Sequence, residues 1–295
     1  MQDPCKETLL MNITFARPAH QAAQSPAHCV AFLTCHDKAH LVSDALAPLG
    51  LDVQPISSYD TDKFGTFSRE IPRRGSAHDT ALRKAKLACS LAATRYGLGS
   101  EGSFGPDPHL GWMPWNYEIL CLWDNERQYA VYVMASSGAT NYAQGEIDSL
   151  QAAESFMQRT RFPSHALILG RPDEPWFQKG IRDRDWLLDK IATLLTQHPA
   201  LWLETDMRAH LNPLRQQMIR EAGEQLAKQL GSLCPRCSAP GYAIARSEPG
   251  LSCADCDLST PLAAAYIWEC PACEYQERIA TNQLADPGHC ERCNP

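Results

Sequence analysis

Four Cys-x-x-Cys pairs close this 295-residue chain, at Cys234/Cys237, Cys253/Cys256, Cys270/Cys273 and Cys290/Cys293. Each pair places two thiolates on one tight turn, and two such turns complete the tetrahedral sulfur shell of a closed zinc site. The pairs are separated by 15, 13 and 16 residues. Taken in order, that spacing fits a zinc ribbon twice, so two structural zinc ions are expected. Sequential and crossed pairing of the four turns both satisfy the chemistry. A closed four-cysteine site leaves no open coordination position, so the pairs constrain the fold and leave catalysis to be sought elsewhere.

The surroundings of the pairs limit their use. From Cys234 onward there is no lysine, and four arginines face eight acidic residues. Each zinc held by four thiolates adds a formal charge of about −2. A surface that reads phosphate backbones needs the opposite sign, so nucleic acid is not the expected partner. A protein partner for this module is the alternative expectation. The whole chain carries a net charge of −7. The remaining five cysteines are scattered, which points to a reduced, cytoplasmic protein. No apolar run reaches the length of a membrane span, so no membrane association is expected.

Three regions are expected: an extension over residues 1–27 rich in Ala, Gln, Pro and His, an α/β body over 28–231, and a double zinc-ribbon module over 232–295. In the body, Cys29–Thr34 reads as a buried strand and Leu41–Leu49 as a helix stopped by Gly50. Leu51–Ile56 then reads as a second strand. This β-α-β start implies a parallel pair, and so a mixed or mostly parallel sheet with flanking helices. Ser76 with Asp79 forms a capping box ahead of a helix whose narrow face is Ala81, Ala85, Ala88 and Ala92. Paired strands are expected at Tyr117–Trp123 and Tyr129–Ser136. Helices are expected at Ile147–Gln158 and Asp185–Gln197, and strands at Ala166–Leu169 and Leu201–Glu204. Asn212 caps a last helix with Pro213 in its first position.

Chemistry is expected where charged residues meet turns. Ser100–Pro108 reads as a Gly/Ser loop carrying Glu101, a carboxylate suited to magnesium, with Ser103 as an added donor. Thr34, His36 and Lys38 lie in the turn after the first strand, where open sheets bind ligands. Asp60, Asp62, Glu70, Arg73 and Arg74 make a charged block able to hold a metal and clamp a phosphate. Arg208, Asn212 and Arg215 bracket a helix N-terminus, a natural anion site. No Walker A motif, Rossmann fingerprint or Gly-x-Ser-x-Gly elbow is present.

The order of the Thr34-x-His36-x-Lys38 turn, Thr80-Ala-Leu-Arg-Lys84-Ala85 and Ser100-Glu101-Gly102-Ser103 resembles the inosine/xanthosine triphosphate pyrophosphatase family over about Cys29–Pro108. Cys35-His36 stands where that family has Gly-Asn, Thr80 replaces its helical Asn, and one acid stands where it has two. The resemblance implies a magnesium-dependent phosphohydrolase in which Lys38 and Lys84 match the family's lysines and Glu101 its metal-binding acid; Glu70, or an Asp of the Asp60/Asp62 pair, is expected to join Glu101 at the metal. Asp60–Phe67, Ser100–Pro106, Asp206–Pro213 and the cysteine tail also resemble a bacterial family of unknown function along nearly the whole chain.

Overall fold

A computed structural model describes residues 28–59, 75–107, 111–171 and 174–295. The charged block at Asp60, Asp62, Glu70, Arg73 and Arg74 lies outside the described residues. The body opens as expected: β1 (His28–Leu33), α1 (Ala39–Leu46) and β2 (Leu51–Ile56), with Gly50 at φ 72° ending a short 3-10 turn. α2 (Ala77–Ala92) starts on the Ser76/Asp79 capping box, both reciprocal hydrogen bonds being formed.

The Gly/Ser stretch is not a loop. Tyr96–Pro106 forms β3, an 11-residue strand at the centre of a mixed sheet ordered β2-β1-β3-β4-β5. β4 (Pro114–Asp124) and β5 (Tyr129–Ser137) complete it. β2, β1 and β3 run parallel, and β3, β4 and β5 antiparallel. The glycines that suggested a turn serve packing instead. α2 crosses β3 so closely that a Cβ at Gly97 or Gly99 would overlap the Ala85 or Ala81 carbonyl. Ala81, Ala85 and Ala88 are fully buried on the facing side of the helix. Glycine at those positions lets the backbones meet.

A second, four-stranded antiparallel sheet is ordered β6-β9-β7-β8. Its strands are β6 (Gln144–Ile147), β7 (Leu167–Arg171), β8 (Glu174–Ile181) and β9 (Leu201–Thr205). α3 (Leu150–Arg159) and α4 (Arg184–Leu195) cover it, and Phe156, Leu169, Leu187, Ile191 and Leu203 share its core. Helix was expected from Ile147, but Gln144–Ile147 pairs with β9, and the helix starts only after its cap, Ser149. The chain then returns to the first sheet through α5 (Pro213–Leu230), capped by Asn212, which packs on α1, β4 and β5.

The cysteine region is a meander of β10 (Ala243–Pro249), β11 (Ala263–Glu269) and β12 (Gln276–Ala280). The four Cys-x-x-Cys turns alternate with the strands, so the first and third fall at one end of the sheet and the second and fourth at the other. Antiparallel pairing therefore dictates the crossed arrangement. The first-and-third end is continuous with the main core: Cys234, Ala239, Tyr242 and Cys270 are buried with Val131, Val133, Leu226 and Leu230. Among the described residues, no helix is long and apolar enough to cross a membrane.

Candidate functional site

Two four-cysteine clusters, each able to hold a metal ion, follow from the meander. Cys234, Cys237, Cys270 and Cys273 converge, as do Cys253, Cys256, Cys290 and Cys293, with all sulfurs of each group within 4.8 Å of one another. Sγ–Sγ separations are 3.8 Å for Cys234–Cys273, 3.7 Å for Cys237–Cys270, 3.9 Å for Cys253–Cys293 and 3.6 Å for Cys256–Cys290. Four sulfurs on a tetrahedron at the usual Zn–S length lie about 3.8 Å apart, whereas a disulfide closes to about 2.05 Å. The spacing fits zinc. Each turn closes alike, with the residue after the second cysteine donating its N–H to the first cysteine's carbonyl (Ser238, Asp257, Glu274 and Asn294). Ser238, Asp257 and Glu274 take positive φ to do so. These are closed sites that hold the chain together.

A second constellation lies at the carboxyl end of β1, where β3 and β4 run on past it. β1 leaves towards α1 on one face while β3 turns away towards β4, and the carboxyl ends of strands are the usual place for a ligand in an open sheet. Successive β3 residues point to opposite faces. Glu101, like Gly97 and Gly99, faces α2, and its Oε2 accepts from Lys84 Nζ at 2.6 Å. Ser100 faces the other way, and its hydroxyl accepts from Lys38 Nζ at 2.8 Å. Lys84 also donates to the Ser100 carbonyl at 3.4 Å. Two lysines, 46 positions apart in the chain and on opposite faces of the sheet, thus meet at one residue of β3.

Glu118 of β4 organises the other face. It accepts from Lys38 Nζ at 2.7 Å and from Arg215 Nε and Nη2 at 3.2 and 3.1 Å. Glu118, Arg215 and Lys38 are only 1%, 2% and 5% exposed. Burial alone would raise the Glu118 carboxyl, but Arg215 and Lys38 hold it at about 2. Burial pulls Lys38 down to about 8 even though Glu118 opposes the shift, and Arg215 and Lys84 add to the fall. The two partners shift in the same downward direction because Glu118 faces two cations, whereas for Lys38 burial outweighs its acid. Gly102 is needed beside them, since a Cβ there would lie 2.7 Å from Arg215 Nη2. The guanidinium also lies over the Phe104 ring at 5.2 Å.

The remaining expected residues gather around this network. Thr34 is buried, and its hydroxyl accepts from the His36 N–H at 3.3 Å. His36 stacks on His210 at 5.4 Å, which ties the β1–α1 turn to the segment between β9 and α5. Burial, then Lys38, Arg215, His210 and Arg208, push His36 down to about 3, so its ring is neutral at pH 7. Arg208 is clamped on the buried Asp206, with Nη2–Oδ2 at 2.6 Å. Asn212 is fully buried; its Oδ1 caps α5 through the Arg215 N–H, and its Nδ2 donates to Asn141 Oδ1. Arg215 also donates to the Met207 carbonyl. Ser103 is half-buried on the α2 face of β3.

The network thus brings Lys38, Lys84, Glu101 and Arg215 together, with His36 and Arg208 beside them. Glu118 is not among the residues expected from sequence, while Asp206, His210 and Phe104 lie in the expected segments without a role of their own. A signal for Glu118 exists: it is an acid opening the apolar run Ile119–Trp123 of a strand that must be buried.

Residues 84–295 match DUF6671, a domain of unknown function. Neither a curated protein nor a solved structure matches the chain at a significant level. The expected likeness to inosine/xanthosine triphosphate pyrophosphatases has no support from these comparisons, and most of the segment that suggested it precedes the matched residues.

Proposed function

We propose that this chain, which belongs to the DUF6671 family, is a metal-dependent hydrolase of a nucleotide or another phosphorylated small molecule, with two structural zinc centres. The observation that carries the reading is the convergence of Lys38 and Lys84 on Ser100 at the carboxyl end of β1, with Arg215 linked to Lys38 through Glu118. Packing alone does not call for such a network, because buried ion pairs about break even against well-packed apolar residues. Cations held in place by fixed carboxylates suit an anion that arrives and leaves.

In this reading Lys38, Lys84 and Arg215 face phosphate oxygens, and Arg208 lies at the rim of the site. Glu118 keeps Lys38 charged and aims Arg215. Glu101 is the described carboxylate that would hold magnesium, in exchange for its contact with Lys84. Bound there, magnesium would neutralise developing charge on the phosphoryl oxygens. The neutral His36 can donate from one ring nitrogen and accept at the other.

The test is phosphate release from a panel of nucleoside triphosphates, nucleoside monophosphates and sugar phosphates with magnesium. At least one should turn over, and Glu101→Gln and Lys38→Met should each cost about 100-fold or more, as loss of a transition-state charge contact does. Failure of the whole panel, with no binding of inorganic tripolyphosphate, refutes the reading.

The alternative is a non-enzymatic adaptor whose zinc module docks a protein. Ile244, Leu258 and Leu284 stand exposed on that module, which supports it. On that reading Glu101→Gln is silent in cells, while Leu258→Asp with Leu284→Asp abolishes function without loss of zinc.

A further inference from the structure

Asn116 lies on β4, two residues before Glu118 and on the same face of the sheet. In register it stands between Phe104 of β3 and Ser137 of β5. It is 1% exposed, and its Oδ1 has no hydrogen-bond partner among the described residues. Arg215 gives its protons to Glu118 and the Met207 carbonyl, and Lys38 gives its own to Ser100 and Glu118. None turns to Asn116. A buried carbonyl oxygen is costly to leave unmade, and such groups in native proteins call for an explanation. Its neighbours on that face are not structural filler: the Phe104 ring lies under the Arg215 guanidinium, and Tyr142 approaches Phe104 at 6.1 Å.

We propose that Asn116 is a specificity-determining residue of this site, its side-chain oxygen accepting a hydrogen bond from an N–H or O–H donor on the organic part of the bound phosphorylated molecule. The inference rests on the hydrolase reading above for the location of the phosphate. Asn116 lies about 6.6 Å along β4 from Glu118, the residue that Lys38 and Arg215 both bind, so the donor belongs to the organic part of the ligand and not to its anionic group. Nucleotides have such donors on base and ribose, and sugar phosphates have them on hydroxyls. Inorganic polyphosphate has none, so the site prefers an organic phosphate to a bare one.

The experiment is calorimetric titration of the full chain with inorganic tripolyphosphate, ribose 5-phosphate, and ATP, GTP, CTP and UTP in turn. It is run on the native protein, Asn116→Leu and Asn116→Asp. Asn116→Leu keeps the shape and removes the acceptor; Asn116→Asp keeps an acceptor oxygen. The expected result is that Asn116→Leu weakens at least one organic phosphate by about tenfold or more, the scale of one lost buried hydrogen bond, and leaves tripolyphosphate within about twofold. Asn116→Asp should preserve the ratio of organic to inorganic affinity even where its charge weakens both. Dependence of nucleotides but not ribose 5-phosphate on Asn116 would locate the donor on the base. Equal losses for organic and inorganic ligands, or no loss for any, overturn the assignment and leave the phosphate site standing. Absence of tripolyphosphate binding by the native protein overturns both.

Discussion

Replacing Glu118 by glutamine keeps the shape of the side chain and removes the charge that Lys38 and Arg215 share. Two independent routes give the size of the effect. Breaking a buried ion pair by removing one partner costs about 3–5 kcal/mol, because the other charge stays buried and uncompensated. The second route uses the carboxyl itself, held at about 2 against an ordinary 4.5. At about 1.4 kcal/mol per pH unit, that shift is worth about 3 kcal/mol. Its folded-state value is depressed, so the contribution is complete above pH 4.5 and is lost as pH falls from there towards 2. Lys38 works in the other sense. Its folded value, about 8, lies below the ordinary 10.5, so its burial costs stability at neutral pH, and the cost fades as pH rises through that interval. Above pH 8 Lys38 gives up its proton in the native protein, and Glu118 then has one cation left to satisfy. The loss in Glu118→Gln should therefore be about 3 kcal/mol at pH 6 and smaller at pH 9. Urea unfolding followed by tryptophan fluorescence at the two pH values measures it. A loss under about 1 kcal/mol at pH 6, the value for an exposed pair, or a loss that grows with pH would refute the reasoning.

Four further outcomes are expected. Gly99→Ala should push α2 off the sheet, since the new Cβ overlaps the Ala81 carbonyl; about 1–3 kcal/mol of stability should disappear, read as a lower melting temperature. Mercurial titration should release two equivalents of zinc, and native mass spectrometry should show Cys234→Ser and Cys270→Ser losing the same ion while Cys253→Ser loses the other. Because the first cluster shares the main core, Cys234→Ser should also lower the melting temperature of the body, which Cys256→Ser should spare. Binding of inorganic tripolyphosphate should weaken as pH rises through about 8, where Lys38 loses its charge beside Glu118, Arg215 and Lys84; a flat profile from pH 7 to 9.5 would exclude Lys38 as a phosphate contact.

Local chemistry made much of this fold legible. The Ser76/Asp79 box, the Asn212 cap with Pro213, Gly50 after the first helix and the alternation of β4 and β5 all declare themselves within a few residues. What stayed hidden was set by distant partners. Glycine at 97, 99 and 102 reads as a turn, yet here the absence of side chains lets α2 and Arg215 close on a central strand. β6 is four residues long and β8 follows β7 almost directly, so neither carries enough pattern to separate the second sheet from the first. In the site, Lys38 and Lys84 stood out as cations at turn and helix positions. Glu118 did not, because its partners lie 80 and 97 residues away in the chain. The cysteine spacing gave the number of metal centres, while their crossed pairing came from strand direction, which spacing does not encode.

β3 pairs on both edges, with β1 and with β4, and its glycines give it few side chains to fix alignment. Sliding it by one residue would turn Leu98 towards the helix backbone, where there is no room for a side chain. The same slip would swing Glu101 to the face of Glu118, Lys38 and Arg215 and strip Lys84 of its acid. The charges at this sheet edge thus act as an alignment key for the strand. A chain that has paired wrongly leaves Lys84 under α2 without the Glu101 carboxylate, so these charges also penalise a sheet assembled out of register.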